Sequence, residues 1–183
     1  MPLTLPFNQV SSFAIPQDVI LSSINITLNG EKAKVMGIEL SFNQFFDNGF
    51  FVQSNMTFLD SEARVDEKIR LDTVKMPDQA DTTVNLTLGW ENEYWSARVI
   101  GNHRSEILDA VATDKTLDRY IDAITTIDLK VRYDVTKQLS VYFDAINLTE
   151  EVDLKYIEGN QLSGGNVMFK HEYYGSTYQL GVN

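Results

Sequence analysis

Residues 84–90 read VNLTLGW, and their alternation decides the fold. In a β-strand Val84, Leu86, Leu88 and Trp90 share one face, and Asn85, Thr87 and Gly89 share the other. The same pattern returns in GIELSFNQF (37–45), FVQSNMTF (51–58), TIDLKVRYDV (126–135) and LSVYFDAINL (139–148). Whether the apolar face of these strands meets a protein core or lipid therefore has one answer for nearly the whole chain.

The chain has 183 residues, 43% of them hydrophobic, with a mean hydropathy of -0.19. Every apolar run is broken within a few positions, far short of the roughly 20 consecutive apolar residues of a spanning helix. A membrane β-strand needs only about 10 residues of alternating character, so a modest hydropathy leaves a barrel open. A net charge of -11 and a pI near 4.5 argue against a nucleic-acid partner, because phosphate binding needs a clustered excess of Lys and Arg. The absence of cysteine rules out disulfides and thiolate metal sites. The N-terminal MPLTLPFNQVSSFAIPQDV has no basic region and no continuous apolar stretch, so it does not read as a secretory signal. Either the protein is not exported, or the start of the gene product is missing.

Period-two patterning predicts about eight antiparallel strands. The first runs through VILSSINITL (19–28) to an Asn29-Gly30 turn, and the second through KVMGIELSFNQFF (34–46) to a turn at Asp47-Asn48-Gly49. FFVQSNMTFLDSEARV (50–65) follows. TVNLTLGWEN (83–92) and YWSARVIGNHRS (94–105) form a hairpin around Glu91 to Glu93, and TTIDLKVRYDV (125–135) and LSVYFDAINL turn at Thr136-Lys137-Gln138. YYGSTYQLGVN (173–183) closes the series. The polar segments 66–82, 105–122 and 149–172 read as long loops.

Short turns and long loops thus alternate along the chain, as in outer-membrane barrels, which have short turns at the periplasmic end and long loops outside. Phe45, Phe46, Phe50, Phe51, Trp90, Tyr94 and Trp95 flank the short turns, as a girdle at a membrane interface would. Glu39, Asn43, Gln53, Asn55, Asn85, Arg98, Asn102, Asp128, Lys130, Arg132 and Asp144 fall on the polar faces. They line a watery lumen if the chain is a barrel wall, or meet solvent if it is a sandwich.

The ordered set NGEKAKVMGIELSF, GFFVQSNMTFLDSEA, MPDQADTTVNLTLGW, YWSARVIGNHRS, DLKVRYDVTKQLSVYFDAINLTEE and YYGSTYQLGV resembles the C-terminal strands of a TonB-dependent outer-membrane receptor, from about Asn29 to Val182. The most telling part is NLT after an alternating run, with Gly-x-x-Tyr-x-Leu-Gly one loop later. The resemblance implies an all-β, up-and-down transmembrane segment of about eight strands within a 22-stranded plugged barrel. It places residues 19–183 in that barrel, with 1–18 as an N-terminal extension. It also implies energy-coupled uptake of a scarce nutrient (an iron-siderophore, a vitamin or an oligosaccharide) across the outer membrane of a Gram-negative bacterium. The implied partners are outer-membrane lipid, an N-terminal plug, the remaining barrel strands and an inner-membrane energy-coupling complex, with no nucleic acid. Two departures are plain: plug and other strands are missing, and the chain ends at Asn183 rather than at an aromatic residue, so it reads as a fragment.

In that reading the ligand-contacting residues are lumen-facing: Glu39, Asn55, Arg98, Asn102, Arg104, Lys130 and Arg132. No catalytic group, cofactor or metal is expected. Asn-x-Thr triplets at Asn25, Asn55, Asn85 and Asn147 are explained by strand geometry, which puts Asn and Thr two apart on one wet face. His103 and His171 lack metal-ligand spacing and read as surface or lumen residues. Asp60, Glu62, Asp66 and Glu67 lack the spacing of a Ca²⁺ loop. No Ser-His-Asp, paired-carboxylate or phosphate-cradle arrangement stands out, so an enzyme is not expected. The remaining alternative is a soluble all-β ligand-binding module whose apolar face packs a sandwich core.

Overall fold

The computed structural model describes residues 2–6, 23–27, 32–65, 70–160 and 162–183. In chain order its strands are β1 (Pro2–Pro6), β2 (Ser23–Thr27), β3 (Lys32–Phe45), β4 (Phe50–Arg64), β5 (Thr73–Val74), β6 (Thr82–Glu91) and β7 (Trp95–Arg104). They continue with β8 (Ile107–Ala110), β9 (Arg119–Ile121), β10 (Ile124–Thr136), β11 (Leu139–Ile146), β12 (Val152–Asn160), β13 (Gly165–Tyr173) and β14 (Thr177–Val182). A single 3-10 turn, Lys115–Leu117, is the only helical piece among the described residues.

Seven long strands form one antiparallel wall in the order β14-β11-β10-β7-β6-β4-β3, with β5 annexed to β4. Every neighbour in the wall is the next wall strand in sequence, the strands between belonging to a separate sheet or, for β5, to the edge of β4, which is the up-and-down topology expected from the patterning. Two corrections concern the ends of that expectation. The strand read in 19–28 is described only as β2, which pairs with β1 rather than with the wall, and the Asn29-Gly30 turn lies outside the described residues. The closing strand starts at Thr177, because Tyr173 still belongs to β13 and residues 174–176 make the connection.

At one end of the wall the connections are short. Gly49 (φ 86°) turns β3 into β4, and a Cβ there would come within 2.2 Å of the Glu91 carbonyl oxygen, so glycine is required by both conformation and space. Asn92 caps the β6-β7 turn by accepting the amide protons of Tyr94 and Trp95, each at 2.8 Å. At the other end the three long segments are not irregular, as their polarity suggested. The second and third assemble an antiparallel sheet of their own, in the order β13-β12-β9-β8, while the first adds β5 to β4 of the wall. The only buried hydrophobic cluster, among the described residues, lies there: Val65, Leu108 and Val111, with Val74 and Tyr120 packed against them.

The wall itself has no such core. Cross-strand register places Phe42, Ser54, Leu86, Gly101 and Ile127 in one row, and Gln44, Val52, Leu88, Val99, Leu129, Ala145 and Tyr178 in the next. This face holds Ile38, Leu40, Phe42, Val84, Leu86, Leu88, Leu129, Val131, Val141 and Phe143, all as the alternation predicts. Nothing covers it among the described residues: Leu40 is 54% and Leu88 48% exposed. A sandwich core would be buried against a second sheet, whereas a bilayer-facing wall must leave this surface free.

Candidate functional site

The opposite face is mainly polar, interrupted by Phe45, Phe51, Ile100 and Ile124. Starting at the short turns, its first row is Phe45, Phe51, Gly89, Arg98, Lys130, Asp144 and Gln179. The second is Asn43, Gln53, Thr87, Ile100 and Asp128, and the third Ser41, Asn55, Asn85, Asn102 and Thr126. The fourth, nearest the loops, is Glu39, Thr57, Thr83, Arg104 and Ile124.

All seven residues expected to contact ligand sit on this face, but they do not converge on one pocket. Arg98, Lys130 and Arg132 come together in a recess of about 270 Å³ that also includes Tyr142 and Asp144. Arg132 is held by Asp134 at 2.8 Å, and Arg98 lies 3.7 Å from Glu91 with its guanidinium 5.5 Å above the Phe51 ring. Asn55 and Asn102 stand mid-wall, where Asn102 Nδ2 donates to Thr126 Oγ1 at 3.4 Å. Glu39 and Arg104 stand at the loop-side rim. There both Arg104 terminal nitrogens donate to backbone carbonyls, of Ser105 and Asp122, at 3.2 Å.

The aromatic girdle is only partly where the sequence suggests. Phe50 and Trp90 lie in the apolar-face register, as do Trp95 and Tyr133, whose rings are 4.5 Å apart. Phe45 and Phe51 instead belong to the polar face, with ring centroids 5.6 Å apart. Phe51 is 3% exposed because it folds over Gly89, where a Cβ would meet its ring at 2.2 Å. His103, read as a surface or lumen residue, is in register with Val84 on the apolar face. It sits at the loop-side rim with Nδ1 2.8 Å from Thr125 Oγ1.

The triplets also divide. Asn55 with Thr57 and Asn85 with Thr87 share the polar face, as expected. Asn147-Leu148-Thr149 lies outside any strand, in a turn with Asn147 at φ 56°. The Asn147 amide nitrogen donates to Asp128 Oδ1 (2.9 Å), and its Nδ2 donates to the carbonyls of Glu151 (3.2 Å) and Gly175 (3.1 Å). Its Oδ1 accepts the Glu151 amide proton at 3.0 Å. One asparagine thus clamps the beginning and the end of the third long loop to the top of β10, a role that φ > 0 and a short amide side chain allow.

Above the rim, Asp118 is the hub of the loop sheet and is 1% exposed. It receives Arg70 through two parallel bonds, Nη1 to Oδ1 at 2.8 Å and Nη2 to Oδ2 at 2.7 Å, and the Ala112 amide proton at 2.8 Å. Its own carbonyl accepts from the Glu158 amide at 3.1 Å. Three loops are therefore joined through one residue, two by its carboxylate and the third by its backbone carbonyl. Beside it is a cavity of about 370 Å³ with walls from Arg70, Lys75, Glu106, Tyr120, Tyr156 and Glu158. The Tyr120 and Tyr156 rings stack at 5.5 Å, Tyr156 donates its hydroxyl proton to Glu106, and Tyr120 faces Glu158. Burial, then the carboxylates of Glu158, Asp118 and Glu106, pushes the Tyr120 hydroxyl up to about 12. Burial and then Asp122 raise the Glu106 carboxyl above its usual range. Sequence reasoning missed this cavity, because its residues come from three separate segments that carry no common motif.

Asp60 lies at the loop end of β4 on the apolar-face register and Glu62 follows it, while Asp66 and Glu67 are outside the described residues. Among the described residues no three His, Asp or Glu side chains gather as a metal would require.

Comparison with known proteins places these features in a familiar frame. The sequence matches the family of TonB dependent receptor-like β-barrels over residues 5–148. The fold is similar to that of the siderophore receptor PiuA from Acinetobacter baumannii, with a TM-score of 0.60 at 18% identity over 82% of this chain. The match covers 21% of that receptor, so the chain spans about a fifth of its length. No curated protein matches the chain in sequence.

Proposed function

Because the chain belongs to the TonB-dependent receptor-like β-barrel family, we propose that it builds one arc of an outer-membrane wall. Through that wall a scarce nutrient, an iron-siderophore, a vitamin or an oligosaccharide, is taken up under energy coupling. The observation that carries this reading is the division of the seven-strand wall into an uncovered apolar face and a wholly opposed polar face, with all long segments at one end. Backbone groups in hydrocarbon must be paired within the sheet, and side chains on its two faces must suit lipid and water respectively. In this arrangement the apolar face meets outer-membrane lipid of a Gram-negative bacterium, and the loop sheet stands outside the cell.

Glu39, Asn55, Arg98, Asn102, Arg104, Lys130 and Arg132 then face the lumen and contact the ligand on its way through. The loop cavity beside Asp118 is an earlier stop. Residues 19–183 form the barrel portion, its wall beginning at β3, and 1–18 an extension before it, with β2 held by β1 rather than by the wall. A plug, further strands and an inner-membrane energy-coupling complex complete the assembly. Families of this kind are transporters rather than enzymes, and the lumen asks only for binding groups.

Sidedness tests the reading. Cysteines placed at Lys75, Asp114 and Ser163 are expected to react with an impermeant maleimide on intact cells producing the protein, and cysteines at Asn48 and Lys137 only after the outer membrane is opened. Labelling of Lys137→Cys but not of the loop cysteines in intact cells would invert the topology and refute it.

A further inference from the structure

The middle of the polar face carries almost no charge. Across β3, β4, β6 and β7 the second and third rows hold carboxamides and hydroxyls, broken only by Ile100. On β10 the carboxylate of Asp128 is already engaged by the Asn147 amide. The side-chain amides of Asn43, Gln53, Asn55 and Asn85 have no hydrogen-bond partner among the described residues, and Asn102 has only the long contact to Thr126. Immediately below them, on the same face, the Phe45 ring is 59% exposed.

These groups select a ligand by its chemistry. A carboxamide offers both a donor and an acceptor, the same pair that a hydroxyl offers, so amides and hydroxyls satisfy each other without charge. An anionic chelate laid on this belt would give up water for neutral dipoles, and the cations of the flanking rows are already engaged, Arg98 beside Glu91, Lys130 opposite Asp144 and Arg104 on the carbonyls of Ser105 and Asp122. Strands about 4.8 Å apart set successive amides at a spacing close to the length of one sugar ring. An exposed aromatic face next to the amides gives apolar area to the C–H side of such a ring. We propose that this belt binds an uncharged, hydroxyl-rich ligand, an oligosaccharide, with Asn43, Gln53, Asn55, Asn85 and Asn102 bonding its hydroxyls and Phe45 covering one ring. The inference rests on the lumenal assignment of the polar face and narrows the nutrient to one class.

The test is equilibrium dialysis of the detergent-solubilised 183-residue chain against maltoheptaose, cellohexaose and xylohexaose, with a ferric tricatecholate, a trianion, as the charged-chelator counterpart. Strand-edge association leaves both faces free, so oligomers serve as well as monomers. Saturable binding of at least one oligosaccharide is expected. It should weaken about tenfold in the Asn55→Leu/Asn85→Leu variant, the loss of one to two net hydrogen bonds, and also in Phe45→Ala. Leu88→Ala on the opposite face should bind as the parent does. If the double variant loses its β-sheet circular dichroism, the Phe45→Ala result decides. Absence of oligosaccharide binding by folded chain, binding that these substitutions leave intact, or preference for the ferric chelate would overturn the inference. The maleimide experiment reports separately: correct sidedness without sugar binding sinks this inference alone, while inverted sidedness sinks the transport reading.

Discussion

Gly89 shows how one residue decides what a face looks like. Phe51 lies flat across it and is buried on an otherwise wet surface, with Arg98 above the ring. Its place beside a short turn assigned Phe51 to a girdle, since the partner that makes room for it is far away in sequence and is visible only through register. Gly89→Val should therefore cost about 1–3 kcal/mol by overpacking. Gly101→Ala, where the nearest atom would be 4.0 Å away, should be close to neutral. Thermal unfolding followed by heat-modified gel mobility would compare the two. Most face assignments were legible residue by residue, His103, Phe45 and Phe51 being the exceptions. They predict that Leu88→Arg costs about 2–4 kcal/mol near the bilayer midplane while Thr87→Arg costs little. Equal unfolding free energies for the pair in lipid vesicles would contradict the two-faced wall.

At the scale of elements, strands and loops were unequally readable. The wall strands keep period two over nearly all their length, with one register shift where β10 meets β11 between Asp134 and Thr136, so their order and most of their register follow from the sequence. β12 does not: its register with β13 shifts between Lys155 and Tyr156 and again between Ile157 and Asn160, which breaks the alternation and made the segment look like a loop. The Asp118 hub was invisible for another reason, because a carboxylate pairing with a guanidinium 48 positions away has no local signature. Asp118→Leu leaves Arg70 buried without its main counter-charge and should cost about 3–5 kcal/mol, confined to the loops. The double variant Arg70→Met/Asp118→Leu should recover much of that. Hydrogen exchange would show faster loop amides in the single variant and unchanged wall amides in both. The loop sheet also carries a pH dependence. The folded Glu106 carboxyl titrates above its unfolded value of 4.5, so its contribution is complete below that pH and is lost as pH rises through the raised value. Loop amides should exchange more readily, beyond intrinsic base catalysis, as pH climbs from 4.5, and Glu106→Gln should flatten the trend while keeping the acceptor for Tyr156.

For the whole molecule, the wall is an open sheet among the described residues: β3 and β14 each have one neighbour in it. Unpaired backbone groups along such edges are costly in hydrocarbon and recruit other strands. The 183-residue chain in detergent should therefore run as edge-paired oligomers in light-scattering chromatography, and a stable monomer would show that its edges are satisfied internally. Strand order could be read from the sequence because each wall neighbour is also the next strand of the wall. The separate pairing of β1 with β2 could not, because both are short and lack a turn signal between them. One local feature changes how the molecule can be altered. Since Asn147 ties Glu151 to Gly175, everything between leaves and re-enters the wall at a single point, like a bight of rope made fast at one cleat. A foreign epitope spliced between Ser163 and Gly164, at the far tip of that bight, should be carried on the cell surface while the wall beneath keeps its melting behaviour.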